Sequence, residues 1–457
     1  MPVPGSSRCG MDAGPDKSIE STASLPMKQI NRKYSLGALS VFLVSSLILL
    51  LVKSVCSGFS LRSWNLSEWL INYSGGLNRR GLPGAGLLSL SQYTNTSPYW
   101  WVLAICLIVL GVTVWIVERK SRCRFHSYIL FSPILFGGTI IGNSWFRKDI
   151  IGVLFLIGSL KILLGSEKLS RTVSIGLVNA LSSVMILSHE AYGFYALPML
   201  ILVNAIHTSV KRELAFSRAS VVASLIDFTP TMACLIMTMY LKGNEATAMS
   251  IHQSWAGSWF PYDSNTNFPK SPTAAINSIG WTTQRGLRLS FSLLKRFSHG
   301  IYVPLAWATT LLFSAGFIVN SMKANSIRPT VAVPAGNLSI DEPLELDRGH
   351  LSLLLFLQLI AVSPLFVLGW DYGRWIFLWS LSSIVFFLYT PPRIINVLWH
   401  IPIVAYASNY NYKPLIINLS PYYLLIFAVP RWGWTVESYV KNTPLISLLR
   451  CLWQILR

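Results

Sequence analysis

Residues 36–52, LGALSVFLVSSLILLLV, carry no charged side chain. Apolar runs of roughly 15–20 residues match a hydrocarbon core about 30 Å thick. Inside that core the backbone finds no water to bond, so a helix that closes its own hydrogen bonds is the expected form. Similar runs recur at 99–117, 128–141, 150–164, 173–188, 191–206, 221–241, 301–319, 351–369 and 375–388, with weaker ones at 394–407 and 414–429. The reading is an all-α, polytopic transmembrane helix bundle of about twelve spans. Several runs are short, which suits re-entrant segments or helices packed inside the bundle.

Composition agrees. Of 457 residues, 52% are hydrophobic and 12% charged, and the mean hydropathy is +0.50. A soluble domain carries about twice that charged fraction. The net charge of +19 does not call for nucleic acid, because the basic residues sit in short loops between apolar runs, where they orient helices against anionic lipid. Cys9, Cys56, Cys106, Cys123, Cys234 and Cys451 are scattered without metal-ligand spacing, so neither a metal nor a cofactor is expected.

Residues 1–35 read as a disordered cytoplasmic tail, 36–429 as the membrane bundle and 430–457 as a cytoplasmic C-terminal tail. The tail lacks a clear cleavage site, so residues 36–52 read as a retained signal anchor. With the N-terminus inside, 22 of the 37 Lys and Arg residues fall on the inner side, as the positive-inside bias requires. The long outer loop, 242–300, ends in an amphipathic stretch. Ile276, Ile279, Leu287, Phe291 and Leu294 recur there at helical spacing, among Arg285, Arg288, Lys295 and Arg296. Such a segment suits either the membrane interface or packing on the bundle.

This topology collects five polar groups on one, extracytoplasmic, face. The first outer loop reads Glu68-Trp-Leu-Ile-Asn72-Tyr73-Ser-Gly75-Gly76-Leu-Asn78-Arg79-Arg80-Gly81. Arg147-Lys148-Asp149 precedes the fourth span, and His189-Glu190 joins the fifth and sixth. His252, Trp255, Trp259, Tyr262 and Asp263 open the long loop, and Asp371-Tyr372-Gly373-Arg374-Trp375 links the ninth and tenth spans.

Each group has a plain reading beside a chemical one. Arginine offers a rigid fork of donors suited to phosphate oxygens, and backbone amides approach a ligand closely in a Gly-flanked stretch. Arg79 and Arg80 fit that description, and Arg147, Lys148 and Arg374 could complete a cage for a lipid-linked phosphate or pyrophosphate. Basic residues at helix ends also bind lipid headgroups. Glu68, Asp149, His189, Glu190 and Asp371 are candidates for activating a sugar hydroxyl, and imidazole titrates near neutrality. Asp149 beside Lys148, and Asp371 near Arg374, equally suit structural ion pairs. His189-Glu190 is not HExxH, since Gly193 stands where the second histidine belongs. Trp255, Trp259, Phe260 and Tyr262 could stack on sugars or belong to the interfacial aromatic belt. Asp227, inside the seventh span, is a costly charge and so a functional candidate.

The pattern Asn72-Tyr73-x-Gly-Gly-x-x-Arg79-Arg80-Gly81-Leu82 resembles the NY-x-GG-x-x-RRGL signature of bacterial polytopic proteins from surface-polysaccharide clusters. Arg147-Lys148-Asp149, His189-Glu190 and Asp371-x-Gly-Arg374-Trp375 resemble their later motifs, so the chain is similar to Wzy-type O-antigen or exopolysaccharide polymerases over roughly residues 36–430. Where that signature commonly has Phe-Val before the arginines, this chain has Leu77-Asn78. The resemblance implies an enzyme of the inner membrane that transfers a growing glycan from a polyprenyl pyrophosphate carrier onto another lipid-linked repeat unit. The polyprenyl-linked oligosaccharide, the bilayer and other polysaccharide-assembly proteins are then its partners. Two alternatives stay open. One is a GT-C-like transferase using a polyprenyl-phosphate sugar, against which Glu68 stands as a lone acid in the first loop. The other is a flippase or transporter, for which no internal repeat appears.

Overall fold

The computed structural model describes residues 25–165, 169–263, 268–298, 302–323, 346–369, 371–399 and 443–456. Among these the regular structure is helical, apart from one antiparallel bridge between Phe125 and Met322. Helix α1 (Leu25–Ser57) begins well before the apolar run, so part of the segment expected to be a disordered tail is helix. After the short α2 (Trp64–Ser67) come α3 (Gly81–Thr94) and α4 (Pro98–Ser121). Helix α4 opens on a Ser97 cap with Pro98 in the first turn, where no N–H is needed, and it closes with Arg119 and Lys120 against its negative end.

The expected span at 128–141 is not one helix. A 3₁₀ turn at Ser127–Ile129 and a six-residue α5 (Phe136–Ile141) replace it. Pro133 stands between them and, with Gly137 and Gly138 packed on the carbonyls of Phe131 and Pro133, folds the chain back on itself. A second 3₁₀ turn (Ser144–Phe146) leads into α6 (Asp149–Leu164), followed by α7 (Arg171–Ser188), α8 (Tyr192–Tyr195) and α9 (Leu197–Lys211).

The expected span at 221–241 is broken. Helices α10 (Arg218–Asp227) and α11 (Thr229–Tyr240) meet at 65°. Pro230, in the first turn of α11, removes a backbone donor and crowds the carbonyl four residues back. Asp227 therefore closes a helix instead of lying within one. Its carboxylate accepts from Asn204 Nδ2 at 2.9 Å and pairs with Arg171, and Asn179 Nδ2 donates to its carbonyl at 2.8 Å.

The long loop folds into α12 (Glu245–Gln253), α13 (Ala274–Asn277) and α14 (Thr283–Ser298), then enters α15 (Tyr302–Asn320). Ile276 and Ile279 are buried ahead of α14, so the amphipathic helix proper begins at Thr283. Next come α16 (Arg348–Leu368), α17 (Tyr372–Tyr389) and α18 (Pro392–Trp399). The expected span at 394–407 is described only through Trp399, and that at 414–429 lies outside the described residues. A last helix, α19 (Pro444–Ile455), packs on α1.

Among the described residues, five helical segments are long and apolar enough to cross a membrane: Gly37–Ser57, Pro98–Ser121, Arg171–Ser188, Tyr192–Lys211 and Arg348–Leu368. The bent pair α10–α11 makes six if it counts as one span. The protein is an integral membrane protein with an all-helical fold. Val41, Ile48 and Val52 on α1, Ile108 and Trp115 on α4, and Phe356, Ile360 and Val367 on α16 are exposed, as lipid-facing side chains of membrane helices are. Helix α17 is the opposite case: every residue from Arg374 to Leu388 is buried. An all-round apolar helix belongs in the middle of a bundle, and α17 packs against α4, α5, α6, α8, α15 and α16. Its first turn is thereby fixed at the centre of one end of the molecule.

Candidate functional site: an ion-pair centre at converging helix ends

Four of the five polar groups meet at that end, and each member sits at a helix terminus. Glu68 caps the C-terminus of α2 and Arg80 precedes α3. Arg147 ends a 3₁₀ turn, Lys148 and Asp149 open α6, His189 ends α7, and Asp371 and Arg374 begin α17. Asp149 in a first helical turn lies where the backbone dipole favours a negative charge.

The first loop is shaped to present its two arginines. Asn72 Oδ1 accepts from the Ser74 amide at 2.9 Å, and Asn78 Nδ2 donates to the carbonyls of Asn72 and Gly76 at 2.7 and 3.0 Å. Gly76 has φ +97°, a conformation side chains rarely adopt. Arg80 itself is left-handed, with φ 67°. At Gly81 a Cβ would stand 2.3 Å from Cε1 of Tyr73, so the Tyr73 ring packs directly against the start of α3.

Two arginines form the floor. Arg147 donates from Nε to Glu68 Oε2 at 2.9 Å and from Nη1 to Asp371 Oδ2 at 2.9 Å. Arg374 holds both Asp149 oxygens, Nε to Oδ2 at 2.6 Å and Nη2 to Oδ1 at 2.8 Å, and reaches Asp371 Oδ2 from Nη1 at 3.4 Å. Arg374 Nη2 also touches His189 Nε2. A guanidinium only donates, so that nitrogen accepts, and the imidazole proton rests on Nδ1, 3.7 Å from Glu190 Oε2. Glu68, Arg147, Lys148, Asp149, His189 and Arg374 are all buried.

The rim is more open. Arg80 grips both Glu190 oxygens, with Nε 2.7 Å from Oε2 and Nη2 against Oε1. Arg79 Nη1 lies 3.9 Å from Glu190 Oε1, and its side chain is 31% exposed, against 1% for Arg147. Glu68 Oε1 has no hydrogen-bond partner in its buried position and is ringed by His189 Nε2, Arg80 Nη1 and Arg374 Nη2 at 3.7, 3.8 and 3.9 Å.

Burial opposes ionisation of Glu68, but Arg147, Arg374, His189 and Arg80 outweigh it and hold the carboxyl well below the usual range. Glu190 is likewise held low against burial, chiefly by Arg80. Lys148 goes the other way. Its ammonium is sealed beneath the rim, donating to the Ser188 and Arg80 carbonyls at 3.2 and 3.4 Å and lying 5.7 Å from the centre of the Trp69 ring. Burial and the neighbouring arginines prevail over Glu68 and Glu190 and bring its pKa down to about 7. The centre therefore holds four arginines against four carboxylates, with Lys148 free to change charge near neutrality.

The fifth group stays apart from this network. Trp255 is buried and donates to the Leu70 carbonyl at 2.8 Å, and Ser254 accepts from Asn72 at 2.8 Å. His252 stacks on Phe268 and bonds the Pro269 carbonyl. Tyr262 packs on Tyr99, and Asp263 accepts from the Leu61 amide. These residues clamp the long loop onto the first. Trp259 is 64% exposed, with only its carbonyl engaged, by Ser97. Asn78 and Trp69 emerge from the structure as parts of the centre. Their position inside the Glu68–Arg80 loop was the available signal. Among the described residues no group of three or more His, Cys, Asp or Glu side chains is placed to hold a metal ion. Comparison with protein-family models, curated proteins and solved structures gives no match.

Proposed function

We propose that the protein is a membrane glycosyltransferase that polymerises lipid-linked oligosaccharide repeat units, taking the growing glycan from a polyprenyl pyrophosphate carrier. The observation that carries this reading is the Arg79–Arg80 pair at the open rim of a buried ion network, with the Arg80 fork closed on Glu190. A pyrophosphate is the ligand whose oxygens compete best for such a fork. Its arrival at Arg79 and Arg80 releases Glu190, leaving a carboxylate next to His189 Nδ1 and close to the reacting centre. An acceptor hydroxyl then bonds to the anomeric carbon, its proton passes to Glu190, which His189 Nδ1–H orients, and the bond from that carbon to the pyrophosphate oxygen breaks. The arginines stabilise the departing charge. Arg147 and Arg374 serve as the frame that holds the acids, since both are buried against carboxylates.

In this reading the centre faces the extracytoplasmic side of a bacterial inner membrane, both termini are cytoplasmic, and the shorter apolar helices complete a bundle of about twelve spans. The carrier's tail enters from the bilayer, and other polysaccharide-assembly proteins are its partners. A GT-C-like transferase is less well supported, because the lone first-loop acid, Glu68, lies buried under Arg147. The broken α10–α11 pair favours a flippase or transporter, since interrupted membrane helices often line substrate paths. Asp227, however, is fully engaged by Arg171 and Asn204. Gene deletion separates the three. Single repeat units accumulating on lipid outside the cytoplasmic membrane support polymerisation. Unflipped units identify a flippase, and a truncated repeat identifies a monosaccharide transferase.

A further inference from the structure

We infer that α14 is an interfacial helix that binds the anionic headgroups of membrane phospholipid through a polar arc whose charged residues are all basic. At 100° per residue, Gln284, Arg285, Arg288, Ser292, Lys295 and Arg296 fall within an arc of about 120°. The remaining circumference carries Leu287, Leu289, Phe291, Leu293, Leu294 and Phe297. Arg285 and Arg288 are exposed. No Asp or Glu occurs between Asp263 and Asp341, so nothing in the surrounding sequence neutralises the arc.

Phe291, on the apolar side, is 60% exposed. A phenylalanine so placed beside membrane-embedded helices fits the boundary between headgroups and acyl chains. The helix is anchored at both ends. Arg285 lies 5.5 Å from the centre of the Trp281 ring, which packs on Trp64 of α2. At the other end α14 packs on α15, whose Trp307 contacts Tyr372 at the start of α17. The helix therefore lies at the same membrane face as Asp371 and Arg374. A cationic arc over an apolar one matches a surface with phosphates above and acyl chains below, which selects an anionic bilayer over a protein partner. This inference does not depend on the glycosyl-transfer reading.

The test places the photo-crosslinker benzoylphenylalanine at Phe291 in the full chain, reconstituted in nanodiscs of phosphatidylcholine with or without phosphatidylglycerol. Crosslinks to lipid are expected, increasing at least about fivefold with phosphatidylglycerol, the effect of a single basic residue near an anionic surface. R285Q/R288Q/K295Q/R296Q should abolish that increase, and R285K/R288K should keep it, since the arc acts through charge. Should the Gln variant fail to elute as the wild type does on size exclusion, raising the salt concentration on the wild-type chain must suppress the increase instead. Crosslinks to the chain itself or to another protein, or lipid crosslinks indifferent to phosphatidylglycerol, would overturn the inference.

Discussion

Arg374 lies side-on across the carboxylate of Asp149, Nε to Oδ2 at 2.6 Å and Nη2 to Oδ1 at 2.8 Å, although 225 residues separate them in the chain. The pair ties the first turn of the central helix α17 to the first residue of α6, and both side chains are buried. Losing one partner of a buried pair leaves the other charged and unsolvated, at a cost of about 3–5 kcal/mol. Asp149→Asn and Arg374→Met should therefore each lower the midpoint of thermal unfolding in detergent. The double variant D149N/R374M should recover a large part of the loss, because it leaves no uncompensated charge. Singles that melt like the wild type would show that the pair does not hold these helices together.

The rim and floor arginines should separate under the same conservative change. Lysine keeps the charge of arginine but not its two-pronged geometry. Arg79, with its side chain 31% exposed and 3.9 Å from its acid, forms a loose pair of the kind worth about 0–1 kcal/mol. Arg79→Lys should leave unfolding nearly unchanged and cut glycan chain extension by about tenfold or more, the size of a lost charge-assisted bond. Arg147 spans Glu68 and Asp371 with different nitrogens, which one ammonium cannot do. Arg147→Lys should therefore lower both stability and extension. Equal stability losses at the two positions would remove the distinction between rim and floor.

Lys148 makes a pH prediction. Its folded pKa of about 7 lies below the usual 10.5, so between those values the unfolded chain binds a proton that the folded chain does not. Stability from this group is then lowest below pH 7 and rises as pH increases from 7 towards 10.5. Glu68 and Glu190, both held low, act in the acid range: their contribution is present above pH 4.5 and falls away below it. Thermal unfolding of the wild type should shift up by a few degrees from pH 7 to 9, and Lys148→Met should flatten that rise while keeping the acid limb. An unchanged slope in Lys148→Met would assign the alkaline effect to another group.

Much of this centre was legible before any coordinates. Alternating the apolar runs across a bilayer puts Glu68, Arg79, Arg80, Arg147–Asp149, His189–Glu190 and Asp371–Arg374 on one side, and in the folded chain those four groups touch. Which arginine pairs with which acid was not legible, because it depends on how α6 and α17 are rotated about their axes. The sequence offers Trp255 and His252 as possible site members, yet they anchor a loop through bonds to backbone carbonyls, which leave no pattern in sequence. Which apolar runs form full-length spans is not legible either, for a different reason. Run length alone does not separate a lipid-facing helix such as α4 from the sheathed α17. Pro133 and Pro230 each interrupt a run whose hydropathy is continuous.

The His189–Glu190 junction carries the most specific chemical prediction. His189 Nε2 is taken by Arg374, which leaves Nδ1 as the nitrogen that faces Glu190, and Glu190 is in turn a carboxylate that both rim arginines approach. A ligand that draws Arg79 and Arg80 away therefore changes the charge seen by Glu190 and His189 together. Glu190→Gln keeps the shape and can still accept from Arg80, but it cannot take a proton. It should bind a lipid-linked oligosaccharide within about threefold of the wild type, and extension should fall by about 10²–10⁴, the usual worth of a positioned base. His189→Ala should also slow extension, but it additionally leaves Arg374 short of an acceptor, so its unfolding midpoint should fall as well. Measuring binding, extension and melting on both variants separates the roles. Wild-type extension in Glu190→Gln would make the junction structural and turn attention to the unpartnered Oε1 of Glu68.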